Sequence, residues 1–298
     1  MKIVVRIASC ALSTMVAASA CASPFNPGNP AASGYALTFN GTFGGPNGID
    51  INNTRAPGFN WYYPSPGAIP AGDVSVDSNG ILTLNASASD YSQAILQSAV
   101  ATSSTTYVGN VWGGGWYVEG SIAFNPAQVN FANGWPCFWA VSIENFIGKA
   151  QWSGQVSGYT HFIEDDMFEY MMQAGVNSFS SGMHDWWGIW NTTCSGGYCG
   201  VNNNNGIIQL GATNWTQFHT VGQLWVPGST ANNNNGYVTT YFDGTPVMTI
   251  NWVDQGDGVL PPQGTFTFSI IDKQHLFLVL GTSVGAPMKV QWVHVWQR

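Results

Sequence analysis

Apolar residues in this chain never hold a helical spacing for more than a turn or two. Period-two alternation and short apolar runs take its place, broken by Gly and Asn. The runs predict strands over Trp116–Asn125, Phe138–Ile143, Tyr159–Met172, Phe218–Val226 and Tyr237–Phe242. Further strands are predicted over Val247–Asn251, Thr265–Ile271, Leu276–Leu280 and Met288–Trp296. Asp243-Gly244 between two such runs is a two-residue hairpin signal. Pro246 just beyond it suits an edge strand or a bulge, because proline has no N–H for the ladder. Two Asn-rich stretches, Val201–Gly206 and Ala231–Gly236, read as loops. No linker tract divides the chain, so residues 23–298 are expected to form one all-β domain, a sandwich of two antiparallel sheets packed face to face.

Charged residues make up only 7% of the 298 residues, but beyond the N-terminus no apolar run approaches the length of a spanning helix. The N-terminus itself reads as a signal peptide over residues 1–22: Lys2 and Arg6, an apolar stretch, then the small-residue patterns Ala18-Ser19-Ala20 and Ala20-Cys21-Ala22. A secreted protein is therefore expected. Cys21 after Ala18-Ser19-Ala20 would also suit a lipid anchor, the one route to a membrane. The Leu that usually precedes the small pair is missing, so cleavage and release is the expectation. Removing Lys2 and Arg6 leaves five of the seven basic residues against 15 acidic ones. Such a chain has no footprint for nucleic acid and few cations to clamp an anionic substrate. A monomer is expected. Cys194 and Cys199 bracket four residues, and in an exported protein they read as a disulfide-closed loop. Cys137, in an apolar run, reads as a buried thiol.

The chemistry concentrates in His161-Phe-Ile-Glu-Asp-Asp-Met-Phe-Glu-Tyr170. Glu164, Asp165, Asp166 and Glu169 put four of the 15 acidic residues into six positions. On a strand Glu164 and Asp166 share a face, and Glu169 would fall on the other. One β-bulge between Asp166 and Glu169 would return it to the first face. Two carboxyls about 5–5.5 Å apart could then cleave a glycosidic bond with retention, one attacking as carboxylate and one donating a proton. Calcium binding and a solvated acidic face are the competing readings. The apolar flanks Phe162, Ile163, Met167 and Phe168 favour a reactive site over either.

Glu164-Asp165-Asp166-Met167-Phe168-Glu169 resembles the Glu-x-Asp-x-x-Glu signature of glycoside hydrolase family 16, the laminarinase-like enzymes. Gly115–Glu119 with Gly134–Trp139, then Phe218–Pro227, Tyr241–Gly244 and Met288–Gln297, are similar to that family's other strands, so the likeness covers roughly residues 112–298. It implies a concanavalin A-like β-jelly roll, with Glu164 as nucleophile, Asp166 as assisting residue and Glu169 as acid/base. It also implies a sugar contact for His184 and cleft positions for Trp135 and Trp186. Asp165 stands where the family usually has an apolar residue facing the core, and Ser121 where it often has an Arg beside the position of Glu119.

The expected activity is endo-hydrolysis of a neutral polysaccharide, foremost a β-glucan with β-1,3 linkages. A transglycosylase and a non-catalytic, lectin-like sugar binder of the same fold are the alternatives. No zinc-type spacing of His, Cys, Asp and Glu occurs. No metal or cofactor is expected in the chemistry, and a purely structural calcium is compatible with it.

Overall fold

A computed structural model describes residues 25–86, 95–150, 155–201, 206–254 and 274–298. The expected signal peptide and the expected strand Thr265–Ile271 lie outside the described residues. The first strands are β1 (Ala36–Gly41), β2 (Val74–Val76), β3 (Leu82–Leu84), β4 (Leu96–Gln97), β5 (Ala99–Ala101) and β6 (Tyr107–Gly109). Next come β7 (Trp116–Phe124), β8 (Cys137–Ser142), β9 (Thr160–Glu169), β10 (Ser178–Gly188), β11 (Cys199–Val201) and β12 (Gly206–Gln209). The last are β13 (His219–Val226), β14 (Asn235–Phe242), β15 (Thr245–Val253), β16 (Leu276–Gly281) and β17 (Met288–Gln297).

Two antiparallel sheets carry the fold, a β-jelly roll as expected. One has eight strands in the order β15-β14-β13-β7-β17-β3-β2, with β1 also on β17. The other has seven, β11-β10-β9-β8-β16-β4, with β12 also on β10. Alternation decides what meets between them. Along β17, Met288, Val290, Val293 and Val295 are buried while Lys289 and Gln291 are exposed, and the phase changes where the register against β7 slips after Val290. β16 is buried on both faces: Leu276, Leu278 and Leu280 join the inter-sheet core, and Phe277 and Val279 join a second cluster with Val141 and Phe162. Its unbroken apolar run in the sequence reflects this double burial.

Asp243 and Gly244, at φ 46° and 73°, connect β14 to β15 as the dipeptide predicts. Pro246 pairs with Tyr241 at a register shift on β15, the edge strand of its sheet. All eight expected strands within the described residues are present, with ends moved by a few residues. The strand expected over Tyr159–Met172 runs only from Thr160 to Glu169. β10 was not anticipated, nor were the short strands before Trp116.

Trp215, 1% exposed, pins the two sheets together. Its ring meets Phe124 of the eight-stranded sheet at 5.2 Å and Phe168 and Phe179 of the other at 5.7 and 6.5 Å. Its indole N–H donates to the Val176 carbonyl at 2.7 Å. Trp215→Ala is expected to destabilise the fold by about 3–5 kcal/mol, read as a fall in the urea midpoint. A loss within the range of an ordinary surface substitution would show that the ring does not pin the sheets.

Candidate active site

The strand β9 holds one residue more than either neighbour. On β8, Phe138 pairs with Phe168 and Trp139 with Asp166; on β10, Ser180 pairs with Glu169 and Gly182 with Asp166. Both registers place a β-bulge between Asp166 and Glu169. Ile163, Met167 and Phe168 point into the inter-sheet core. Glu164, Asp166 and Glu169 point outward into one cavity of about 130 Å³, which Trp135, Cys137 and Trp139 complete. The extra residue thus puts both glutamates on one face, which a regular strand would not.

Hydrogen bonds hold the row from both ends. The Trp135 indole N–H donates to Glu169 Oε1 at 3.1 Å. His184 Nε2 lies 2.8 Å from Asp166 Oδ2, and its ring stacks on Trp186 at 5.5 Å and 9°. The Trp186 N–H lies toward Glu164, close enough to favour its ionised form but short of a full hydrogen bond.

Desolvation is the largest influence on all three carboxyls and raises each. Burial and then the Asp166 charge push Glu164 up to about 8, against the opposing pull of His184. Asp166 is raised well above the usual carboxylate range by burial and then by Glu169. Glu169 is raised by burial and held back by its Trp135 bond. The Cys137 thiol is buried and pushed up by desolvation and then by Glu169, so it stays protonated. Glu164, Asp166 and His184 bring donor atoms within 4.8 Å of one another. His184 Nε2 is already committed to Asp166, so the group reads as a hydrogen-bonded array.

A larger cavity of about 390 Å³ adjoins the first and shares Glu164 and Trp139 with it. Phe162 and Trp186 wall it on the sheet, with Asn145 and Phe146 of the short helix α1 (Ile143–Phe146). Trp190 and Tyr198 form the facing wall. They belong to a hairpin closed by the Cys194–Cys199 disulfide, and Tyr198 meets Phe162 edge-on at 5.3 Å and Trp190 at 5.0 Å. Among the described residues, no Lys or Arg lines either cavity.

The structure therefore gathers Glu164, Asp166, Glu169, Trp135, His184 and Trp186 at one place. Trp135 lines the smaller cavity and Trp186 the larger; His184, 7% exposed, supports Asp166 from the side. Sequence reasoning did not single out Trp139, Asn145, Trp190 or Tyr198. The Cys194–Cys199 spacing was the available signal for Tyr198, because a clamped loop beside the acids fixes the side chain next to Cys199.

Fold and site define a class: a two-sheet β-jelly roll with a row of three carboxylates, buried Asp166 between half-buried Glu164 and Glu169, on the outer face of one sheet and aromatic rings around it. No protein-family model matches the chain, and no curated protein matches it. Among solved structures, an endo-1,3-beta-glucanase from Streptomyces sioyaensis is similar over 89% of this chain and 96% of its own, at 20% identity and a TM-score of 0.53. The kappa-carrageenase from Pseudoalteromonas carrageenovora, complexed with an oligotetrasaccharide of kappa-carrageenan, matches over 79% and 88%, at 14% identity and a TM-score of 0.45. Basic winged bean lectin with Tn-antigen matches over 88% and 98%, at 11% identity and a TM-score of 0.42. The first of these likenesses is one of fold, and the fold is the one the sequence resemblance implies.

The raised Glu164 carboxyl has a consequence for stability. Its unfolded value is near the ordinary 4.5 and its folded value about 8. Its contribution is therefore complete below about pH 4.5 and is lost as pH rises to about 8. Glu164→Gln should melt with wild type at pH 4 and increasingly above it up to pH 8, then hold a constant lead. Parallel melting curves across that range would show that the folded site leaves Glu164 unshifted.

Proposed function

We propose that this chain is a secreted, endo-acting retaining glycoside hydrolase that cleaves a neutral polysaccharide, foremost a β-glucan with β-1,3 linkages. The observation that carries this reading is the shared cavity of Glu164, Asp166 and Glu169, opening onto an aromatic-walled cavity. Two glutamates can supply the nucleophile and the proton that cleavage with retention needs. Flat rings suit the apolar C–H faces of sugar rings. The absence of Lys and Arg from the lining, among the described residues, favours an uncharged polymer over a sulfated or uronic one.

In this reading Glu164 attacks the anomeric carbon while Glu169 gives its proton to the departing glycosidic oxygen. The bond from the anomeric carbon to that oxygen breaks as the bond to Glu164 forms. Glu169, now a carboxylate, takes a proton from water, whose oxygen displaces Glu164 and regenerates the first state. A sugar hydroxyl in place of water gives transglycosylation. Asp166 assists by keeping a proton next to Glu164, so that the attacking group can be the ionised one.

Roles here follow motif position. One observation favours the reverse: Glu164 is raised to about 8, whereas Glu169 accepts the Trp135 hydrogen bond, which favours its ionised form. An aryl glycoside with a good leaving group needs no proton donor and separates the two assignments. Glu169→Gln should still release about one equivalent of the aryl group in a burst and then turn over slowly, because the second step lacks its base, whereas Glu164→Gln should give no burst; the opposite pattern would exchange the roles.

Reducing-sugar release from a panel of neutral polysaccharides should occur with one of them and fall by at least about 10³-fold in both variants. Binding of wild type across the panel without release would favour the lectin-like alternative. Reduction of Cys194–Cys199 should raise KM several-fold with kcat little changed, because the Trp190–Tyr198 wall loses its clamp while the acids stay on β9. An unchanged KM would remove that hairpin from the substrate site.

A further inference from the structure

Asp165 is the one acid of the motif that the mechanism above does not use. It is fully buried and points between the sheets, where Gln223 of β13 donates from Nε2 to its Oδ1 at 2.8 Å. Two atoms of the pair are left over: Asp165 Oδ2 and Gln223 Oε1 are both buried without a partner. An ionised Asp165 would set two bare acceptors in the same dry site, each costing its desolvation. A single proton on Oδ2 turns them into donor and acceptor, closing a ring of two hydrogen bonds between a carboxylic acid and an amide.

A second tie lies beside the first. The bulge takes Ser181 of β10 out of direct register with β9, and its hydroxyl donates to the Asp166 carbonyl at 2.9 Å. The same hydroxyl lies 2.9 Å from Thr240 Oγ1 on β14, and Thr240 pairs directly with Gln223. Consecutive residues of the acidic strand are thus joined to two paired residues of the opposite sheet. Ala140 and Met183 flank Asp165 on β8 and β10, both buried. The titratable group acting on it is His184 of β10, which favours its ionised form, and its own charge acts in turn on its chain neighbour Asp166.

We propose that Asp165 is a protonated acid paired reciprocally with the Gln223 amide, and that this link across the sandwich positions the strand from which Glu164 and Asp166 act. Asp165 is then a positioning residue rather than a catalytic one. Burial pushes its carboxyl up to about 7, in accord with that state. The positioning role rests on the glycosidase reading; the protonated pair does not.

The test compares Asp165→Asn, which can keep both hydrogen bonds, with Asp165→Val and Gln223→Leu, which break them. Asp165→Asn should keep kcat within about twofold. The other two should lose on the order of tenfold or more in kcat with KM little changed, since displaced catalytic groups cost rate. Infrared spectra of protein 13C-labelled at the aspartate carboxyls should show a protonated-acid band at pH 6 that Asp165→Asn lacks. The folded value of about 7 lies above the ordinary 3.8, so the wild type loses Asp165's contribution to stability as pH rises between them, a loss that Asp165→Asn is spared. The variant's melting temperature should therefore pull ahead from about pH 4 to pH 7 and then stay ahead by a constant margin.

An Asp165 carboxylate band at pH 6, or a loss of kcat in Asp165→Asn as large as in Asp165→Val, would overturn the proposal. If wild type turns over no polysaccharide, the glycosidase reading and the positioning role fail together. The infrared band and the stability difference then still decide the protonated pair. They also decide it if Gln223→Leu does not fold.

Discussion

One extra residue in β9 decides whether Glu169 lies on the same side of the sheet as Glu164 and Asp166. A regular strand would send Glu164 and Asp166 to one face and Glu169 to the other. The bulge between Asp166 and Glu169 lets Met167 and Phe168 both enter the core and returns Glu169 to the outer face. The same distortion frees the Asp166 carbonyl for Ser181, which carries the strand's polar contacts through to Thr240. Site geometry and inter-sheet ties therefore share a single cause. They rest on a local irregularity that the Phe168–Trp215–Phe124 ring packing holds in place.

Charge scarcity gives this arrangement its electrostatic character. With four acids crowded on β9 and no Lys or Arg lining either cavity among the described residues, the cost of ionising them is offset by His184, by hydrogen bonds from Trp135 and Gln223 and, for Glu164, by the nearby Trp186 N–H. Burial and mutual repulsion then act in one direction and keep protons on the cluster. Chemistry that needs one acid and one base at once gains from that, provided the retained protons fall unequally. The environments do differ. Glu169 has a neutral N–H donor, Asp166 has a histidine, and Glu164 faces the aromatic cavity. The amino-acid types within the six-residue motif do not distinguish them; their neighbours from β8, β10 and the loop before β8 do.

Where alternation or an unbroken apolar run was present, the sequence was a good guide, as β7, β8, β13, β16 and β17 show. The hairpin at Asp243-Gly244 and the bulge in β9 were likewise legible, the first from turn chemistry and the second from the spacing of the acids. β10 escaped notice because its inward side chains include Ser181 and Asp185, polar residues that hydrogen-bond Thr240 and His161. A period-two pattern is blurred when polar residues alternate with Phe179 and Met183 along the inward face, even though β10 is paired on both sides, by β9 and by β11 and β12. The larger cavity was only partly legible for a different reason. Trp139, Asn145, Phe162, Trp190 and Tyr198 come from three separate stretches of chain, and only the registers of β8, β9 and β10 bring them together.

The aromatic residues divide between stability and site by strand parity and not by residue type. Trp116 and Trp225 pair across β7 and β13 and are buried to within 1%. Trp186, on the outer face of β10, stacks on His184 and walls a cavity, while its neighbour Met183 three residues earlier is fully buried in the core. Cys199 closes the hairpin that presents Tyr198 and Trp190, so a covalent bond does for these two rings what sheet packing does for Trp139 and Trp186. Rings that are held rigidly lose little freedom on meeting a ligand, which is where pre-formed sites gain affinity. The same reasoning applies beneath the acids: a carboxyl group at an inward position, Asp165, is tolerated because one amide on the opposite sheet meets it. An apolar side chain there would fill the space but would give the acidic strand no directional contact with β13.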